Sequence, residues 1–329
     1  MRDAGVRPRC GGHGACIVNG ATRAFNGDML REVEPIFPAA LRPGDTVAVV
    51  SPSSPHSRDE LWRGLAWLRM RYRIRISPAA LARDGYLAGD DACRAGDLAK
   101  AMLSADVKAI VAARGGYGAM RIAEHLPWTE FARRPKWIVG FSDVTAIHAA
   151  AWRQGVASIH GPNATSLARC GSPRVRAAWL AALERPRALR RWGAARVLCR
   201  GKARGRLIGG NLAVIHALAA AGRLEIPPGS VVALEDVAEH PYRIDRMLTS
   251  LLLGGYLTNA AAILFGGFDR CIERADGRTV DAVLEERTGA LGIPVVAGMP
   301  FGHGDLNEAF VLGANVRVAG DEVIVGDDE

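Results

Sequence analysis

From Thr46 to Pro162, short β-rich apolar runs alternate with amphipathic stretches, the pattern of βαβ units around a parallel sheet. The pattern predicts strands over 47–50, 74–76, 109–112, 137–139 and 156–159, with helices at 58–71, 91–103, 119–125 and 143–152. Asp90 or Asp91 can cap the second helix, and Pro135 closes the region after the third. This half reads as a doubly wound, flavodoxin-like α/β domain. The pattern restarts with a β-run at 207–208, a helix at 212–221, a strand at 231–234, a helix at 243–253 and a strand at 261–265. Shorter β-like runs follow at 294–297, 310–312 and 323–325, so the second half reads as mixed α+β. The expected division is an N-terminal extension without order (1–36), an α/β domain (37–168), a basic connector (169–204) and an α+β domain (205–329). A cleft is expected between the two domains.

A chain of 329 residues, 49% hydrophobic, suits two globular domains. No apolar run approaches the roughly 20 residues that span a bilayer, so no membrane partner is expected. Residues 1–26 carry Arg2, Arg7, Arg9 and Arg23 without a continuous apolar core, unlike a secretory signal. The expected location is cytoplasmic, and a translation start at Met29 is a further expectation. The six cysteines, Cys10, Cys16, Cys93, Cys170, Cys199 and Cys271, are scattered, which argues for reduced thiols. Cys10, His13 and Cys16 lack the second ligand pair of a structural zinc site, so no metal is expected there.

The formal net charge is +8, yet twelve Lys or Arg against one acid, Glu184, fall between Arg169 and Arg206. The rest of the chain is therefore net acidic. Charge this local, without a recognition-helix or finger motif, argues against nucleic acid as a partner. The basic stretch reads as a solvated connector, or as a rim that draws in an anionic substrate. It also holds Trp179 and Trp192, which suit hydrophobic anchoring or stacking on a ligand ring.

In open α/β sheets, ligands bind beyond the carboxyl ends of the strands. There the sequence places Ser51-Pro52-Ser53-Ser54, Arg114-Gly115-Gly116-Tyr117-Gly118, Ser142 within GFSD, and His160-Gly161-Pro162. The glycine loop suits an oxyanion or carboxylate cradle, and equally a tight turn. It is neither a G-x-G-x-x-G nor a G-x-x-x-x-G-K-[ST] loop, so no nucleotide cofactor, and no cofactor of any kind, is expected. Ser142 sits where a strand turns into a helix, a position that suits a nucleophile as well as an N-cap. A nucleophilic serine needs a base and a carboxylate to orient it. His148 lies on the helix that follows Ser142 and turns away, and His125 and His216 lie on apolar helical faces. His303 stands between Gly302 and Gly304, where no packing periodicity accounts for it. Glu235 and Asp236 both follow the strand at 231–234, and the pattern does not choose between them.

Eight motifs occur in order: PGDTVAVVSPSSP (43–55), GYLAG (85–89), ARGGYGAMR (113–121), GFSDVT (140–145), HGP (160–162), GGNL (209–212), LEDV with PYRIDRMLT (234–249) and GMPFGHG (298–304). The set resembles the LD-carboxypeptidase family, which includes muramoyltetrapeptide carboxypeptidases and microcin C immunity hydrolases. The resemblance covers roughly 41–325, and only the N-terminal extension departs from it. It implies Ser142 as nucleophile, Glu235 as the triad carboxylate and His303 as general base. It further implies an oxyanion hole from the N–H groups of Gly116 and Asp143, and a homodimer. The implied activity is serine-type cleavage of the L,D-bond to the terminal D-alanine of murein tetrapeptides. A second branch of the family cleaves acyl-sulfamoyl adenylates or peptidyl nucleotides. A non-catalytic small-molecule binding protein is the reading from another class. Arg114 and Tyr117, beside the glycine loop, are the candidates to contact substrate.

Overall fold

Continuous apolar runs in the first half are explained by a sheet covered on both faces. Residues 34–272 and 277–327 are described by the computed structural model of the chain. Strands β1 (Thr46–Val50), β2 (Arg73–Ile76), β3 (Val107–Ala112), β4 (Trp137–Gly140) and β5 (Ser158–His160) are parallel, in the order β5-β4-β3-β1-β2. This is the flavodoxin-like order. Alternate residues of β1 enter different cores, Val47 and Val49 one, Ala48 and Val50 the other. Both faces being buried, no polar alternation is required.

Helices α1 (Arg58–Arg69), α2 (Asp91–Leu103), α3 (Ala119–Ala123), α4 (Trp128–Arg133) and α5 (Thr145–Arg153) connect these strands. Asp90, not Asp91, caps α2 by accepting from the Cys93 N–H at 2.7 Å. Ahead of β1, Ile36 bridges to Val156, donating to Gly155 O at 2.7 Å and accepting from the Ala157 N–H at 3.0 Å. Ile36 thus packs with the first sheet rather than with the extension expected over 1–36, whose residues 1–33 lie outside the described residues.

The second half holds α6 (Ala164–Arg169), α7 (Pro173–Glu184), β6 (Arg190–Gly193), β7 (Arg196–Cys199), β8 (Lys202–Asn211), α8 (Leu212–Ala220), β9 (Val231–Val237), α9 (Pro241–Leu253), β10 (Ala262–Asp269), α10 (Val280–Thr288), β11 (Val295–Ala297), β12 (Phe310–Leu312), β13 (Asn315–Ala319) and β14 (Glu322–Val325). Eight strands form the second sheet, β6-β14-β13-β8-β9-β10-β11-β7, with β8 to β11 parallel and the outer pairs antiparallel.

The stretch expected to be a connector is folded. It contains α7 and both edge strands of the second sheet, β6 against β14 and β7 against β11. β12 returns to the first sheet and pairs antiparallel with β5, Phe310 opposite His160. One core cluster accordingly joins Val139 and Ile159 of the first sheet to Leu207, Ala233 and Leu264 of the second.

Candidate active site

The elbow after β4 is strained at one residue. Phe141 is extended, but Ser142 has φ 63°, in the left-handed region that side chains other than glycine seldom occupy. Such strain costs on the order of 1–3 kcal/mol and persists only where the surroundings impose it. A 3₁₀ turn, Ser142–Val144, leads into α5. Ser142 caps neither segment, because the residues at the two cap positions are Phe141 and Val144 and neither gives a side-chain cap bond. Its half-buried hydroxyl makes no hydrogen bond among the described residues.

The glycine loop lies against this elbow. A Cβ on Gly115 would fall 2.9 Å from Ser142 Cβ and 3.1 Å from its Oγ. Gly116 has φ 111°, and a Cβ there would meet Ser54 Cβ at 2.5 Å. Both glycines therefore let main chain approach where any side chain would collide. Ser54 ties the loop down: its N–H donates to Gly115 O at 3.3 Å and its Oγ accepts from the Tyr117 N–H at 3.0 Å. Beneath it lies Arg94, a fully buried guanidinium. It donates to Gly89 O at 3.1 Å, to Gly118 O at 2.9 Å and to Pro52 O, and pairs with Asp91. One side chain thus pins three loops.

The Asp143 carboxylate accepts from the Ala119 N–H at 2.7 Å and anchors the far end of the glycine loop. Burial raises its pKa above the ordinary carboxylate value, opposed in part by the Ala119 N–H and the charge of Arg94. That side chain is committed to structure, which leaves the main chain of Asp143 as the part that can face a ligand.

From the second sheet, Glu235 in β9 and His303 after β11 come together. Nδ1 of His303 is 2.6 Å from Glu235 Oε2, and the Glu235 side chain is fully buried. Glu235 Oε1 has no hydrogen-bond partner among the described residues. The His303 N–H donates to Asp269 at 2.9 Å, fixing the loop to the end of β10. Burial disfavours the imidazolium, but the hydrogen bond and charge of Glu235, with Asp236 and Asp269, outweigh it and raise the His303 pKa above its usual value. The imidazole lies beside Phe141, ring centroids 4.7 Å apart, which brings it to the residue preceding Ser142. No hydrogen bond links His303 to Ser142 in this structure, and such bonds are often loose before substrate binds.

Glu235 is the carboxylate that meets His303, and Asp236 is engaged elsewhere. Asp236 accepts from Asn211 Nδ2 at 3.0 Å and from the N–H groups of Ala213 and Val237 at 2.9 and 2.8 Å. It anchors the start of α8, and burial pushes its pKa up to about 6. Asn211 also donates its N–H to Thr145 Oγ1 at 3.0 Å, joining GGNL to the helix that follows the elbow.

Of the substrate-contact candidates, Arg114 is exposed, donates to Pro55 O at 2.6 Å and forms no ion pair among the described residues. Tyr117 is exposed beside Tyr86. Trp179 and Trp192 cannot stack on a ligand: both are buried, donating to Pro162 O and Glu308 Oε2, each at 3.1 Å. His148 is buried with Nε2 against Gly140 O at 2.9 Å, and burial takes its pKa down to about 4. Among the described residues no three or more His, Cys, Asp or Glu are grouped to hold a metal ion. Cys10, His13 and Cys16 lie outside the described residues. Arg94 and Asp269 were missed in the sequence, where a helical arginine and an acid at a strand end carry no motif of their own.

The chain is thus a two-sheet α/β protein with a strained serine elbow at the end of a parallel strand. The LD-carboxypeptidase N-terminal domain matches residues 47–161 and the LD-carboxypeptidase C-terminal domain matches residues 204–318. The chain belongs to the LD-carboxypeptidase family. It is 39% identical over 292 residues to a Synechocystis protein provisionally named a carboxypeptidase, covering 86% of this chain and 94% of that one. It is 32% identical to the murein tetrapeptide carboxypeptidase of Pseudomonas aeruginosa, covering 84% of this chain and 94% of the relative. The crystal structure of muramoyltetrapeptide carboxypeptidase from Oxalobacter formigenes superposes with a TM-score of 0.78 at 27% identity, covering 86% and 99%. The microcin C7 self-immunity protein MccF superposes at 0.81 with 21% identity, covering 89% and 99%, a likeness of fold.

Proposed function

We propose that this carboxypeptidase is a serine enzyme that releases the terminal D-alanine of murein tetrapeptides by hydrolysing the L,D-peptide bond. The observation that carries the reading is the buried Glu235–His303 pair set beside the strained Ser142 elbow. In this reading Ser142 Oγ attacks the carbonyl carbon of the L-centre while Nε2 of His303 accepts its proton. Glu235 holds Nδ1 protonated and stabilises the imidazolium. The oxyanion is received by the N–H groups of Asp143 and Gly116, each donor worth about 3 kcal/mol by analogy with deletion of one such donor. His303 then returns the proton to the departing amine. Water, deprotonated by the same imidazole, cleaves the acyl-enzyme and regenerates the hydroxyl. The relative from Pseudomonas aeruginosa and the structural relative from Oxalobacter formigenes, by their names, support murein peptides as the substrate class.

The deciding experiment is chromatography of products from a defined murein tetrapeptide. Release of D-alanine that Ser142→Ala abolishes supports the reading, and an intact tetrapeptide after prolonged incubation rejects it. Labelling of Ser142 by a serine-directed reagent, slowed in His303→Ala, separates an enzyme from a binding protein. A cytoplasmic location and a homodimer belong to the same reading and are checked by cell fractionation and light scattering. Among the described residues, no helix is long and apolar enough to cross a membrane.

A further inference from the structure

Two aromatic rings stand at the solvent edge of the glycine loop with no core to enter. Tyr86 is 65% and Tyr117 52% exposed, and their ring centroids are 5.8 Å apart with planes inclined by 59°. They come from separate loops. Tyr86 sits in a turn closed by the Asp84 and Leu87 main chains, and Tyr117 follows Gly116. Both loops are pinned: Ala88 donates to Ser53 O at 2.9 Å, Tyr117 to Ser54 Oγ at 3.0 Å, and Arg94 holds Gly89 O and Gly118 O. The pair is thus a preorganised apolar platform, and exposed apolar surface that is rigidly held marks a contact site.

We propose that Tyr86 and Tyr117 form the subsite for the sugar ring of a muramoyl-peptide substrate, an inference that rests on the murein-peptide reading above. Position supports it. Gly115 abuts Ser142 and Tyr117 lies two residues on, so their Cα atoms are at most about 7.6 Å apart. Adding the reach of a phenol, the Tyr117 ring lies within roughly 16 Å of the nucleophile, on the same covalent dimensions. A tetrapeptide cut before its last residue keeps three residues between sugar and cleaved bond, roughly 10 Å when extended. Chemistry supports it as well. The departing amino acid is small and ionic and gains little from two aromatic faces. A pyranose presents an apolar C–H face with a hydroxyl edge, matching rings that are apolar on the face and polar at the tip.

The test pairs kinetics with binding. With wild-type enzyme, Tyr86→Ala and Tyr117→Ala, D-alanine release is followed from muramoyl-tetrapeptide and from the bare tetrapeptide. Each alanine variant is expected to raise the ratio of the two KM values, sugar-bearing over bare, about tenfold, the size of one such ring contact. Titration calorimetry of Ser142→Ala, alone and combined with Tyr86→Ala or Tyr117→Ala, reads the preference without turnover: about tenfold tighter binding of the sugar-bearing ligand is expected with both rings present, and its loss when either is removed. An unchanged KM ratio, or equal affinities, overturns the subsite even when wild-type enzyme cleaves both substrates and the functional reading stands. Cleavage of neither substrate rejects the functional reading, while calorimetry still decides the subsite. Tighter binding of an aminoacyl-sulfamoyl adenosine that depends on the two tyrosines assigns the platform to a nucleobase and overturns the sugar assignment.

Discussion

Nδ1 of His303 and Oε2 of Glu235 lie 2.6 Å apart, with the carboxylate fully buried and the imidazole reaching it from another strand's loop. Burial alone would depress the imidazole; the carboxylate, joined by Asp236 and Asp269, raises its pKa above 6.5 instead. A general base works only when neutral, so kcat/KM falls tenfold per pH unit below the raised value. The acid limb of the pH profile is therefore expected above pH 6.5. In Glu235→Gln the plateau drops and the limb moves to lower pH, because the charge favouring the imidazolium is gone. A limb that stays in place removes Glu235 from this role.

The left-handed backbone of Ser142 separates catalysis from stability. Ser142→Ala and Ser142→Gly both lose the hydroxyl and are expected to lose turnover. Alanine keeps the strain of φ 63°, whereas glycine relieves it, so the glycine variant should be the more stable by about 1 kcal/mol. Denaturant unfolding of the two variants measures the difference. A less stable glycine variant would mean that the elbow is not under strain.

Much of this was legible in the sequence, and for identifiable reasons. Strands β1, β3 and β4 announced themselves because both faces of the sheet are buried there, so the apolar runs at 47–50, 109–112 and 137–139 are unbroken, whereas β2, RIRI at the sheet edge, showed itself by its alternation. Residues clustered after strand ends marked Ser142 and the glycine loop because strand ends are where this fold opens; Glu235 was marked in the same way, although β9 runs on to Val237 and holds it within the strand. The stretch from Arg169 to Arg206 misled, because Pro173 and Gly193 resemble loop punctuation. In fact Pro173 sits in the first turn of α7, where proline is tolerated, and β6 and β7 are half-exposed edge strands with polar sequences. β13 was missed for the same reason: NVRVA is short and carries an arginine. That Glu235 rather than Asp236 meets His303 depended on which strand face turns inward at the end of β9, and on the resemblance to the family.

Gly116 is the position where a single methyl group tests the oxyanion hole. A Cβ there would enter Ser54 and would be held at φ 111°, so Gly116→Ala must shift the loop. The expected outcome is a kcat loss of about 10²–10³-fold, as for removal of one oxyanion donor, with KM changed far less. Steady-state kinetics decide it. A KM effect that exceeds the kcat effect would place the loop in ground-state binding.

The basic stretch offers a prediction about salt. Arg174 pairs with Glu308, Arg187 with Asp327, Arg191 with Glu322, Arg196 with Asp281 and Arg206 with Glu34. Much of the local excess is thereby answered by acids from elsewhere in the chain, which weakens any long-range field. Raising ionic strength from about 0.01 to 0.1 M shortens the screening length from roughly 30 to 10 Å. On that change kcat/KM is expected to vary less than about twofold, and a steep decline would restore electrostatic steering by this region.

Arg94 holds the main chains of Pro52, Gly89 and Gly118 from inside the protein, with Asp91 balancing its charge. Arg94→Met fills similar space but removes the guanidinium donor from the buried carbonyls of Pro52 and Gly89, while Gly118 O keeps the Arg121 N–H at 3.2 Å. Loss of one partner from such a buried charged network is expected to cost about 3–5 kcal/mol, read as a lower denaturant midpoint. Arg94→Lys keeps the charge but lacks the planar fork that reaches several acceptors, so an intermediate loss is expected. Because the same guanidinium sets the loop bearing Gly115 and Gly116, the lysine variant should lose kcat more than its stability deficit accounts for under conditions where it remains fully folded. Full activity in a folded Arg94→Lys enzyme would show that the glycine loop keeps its shape without the three-way clamp.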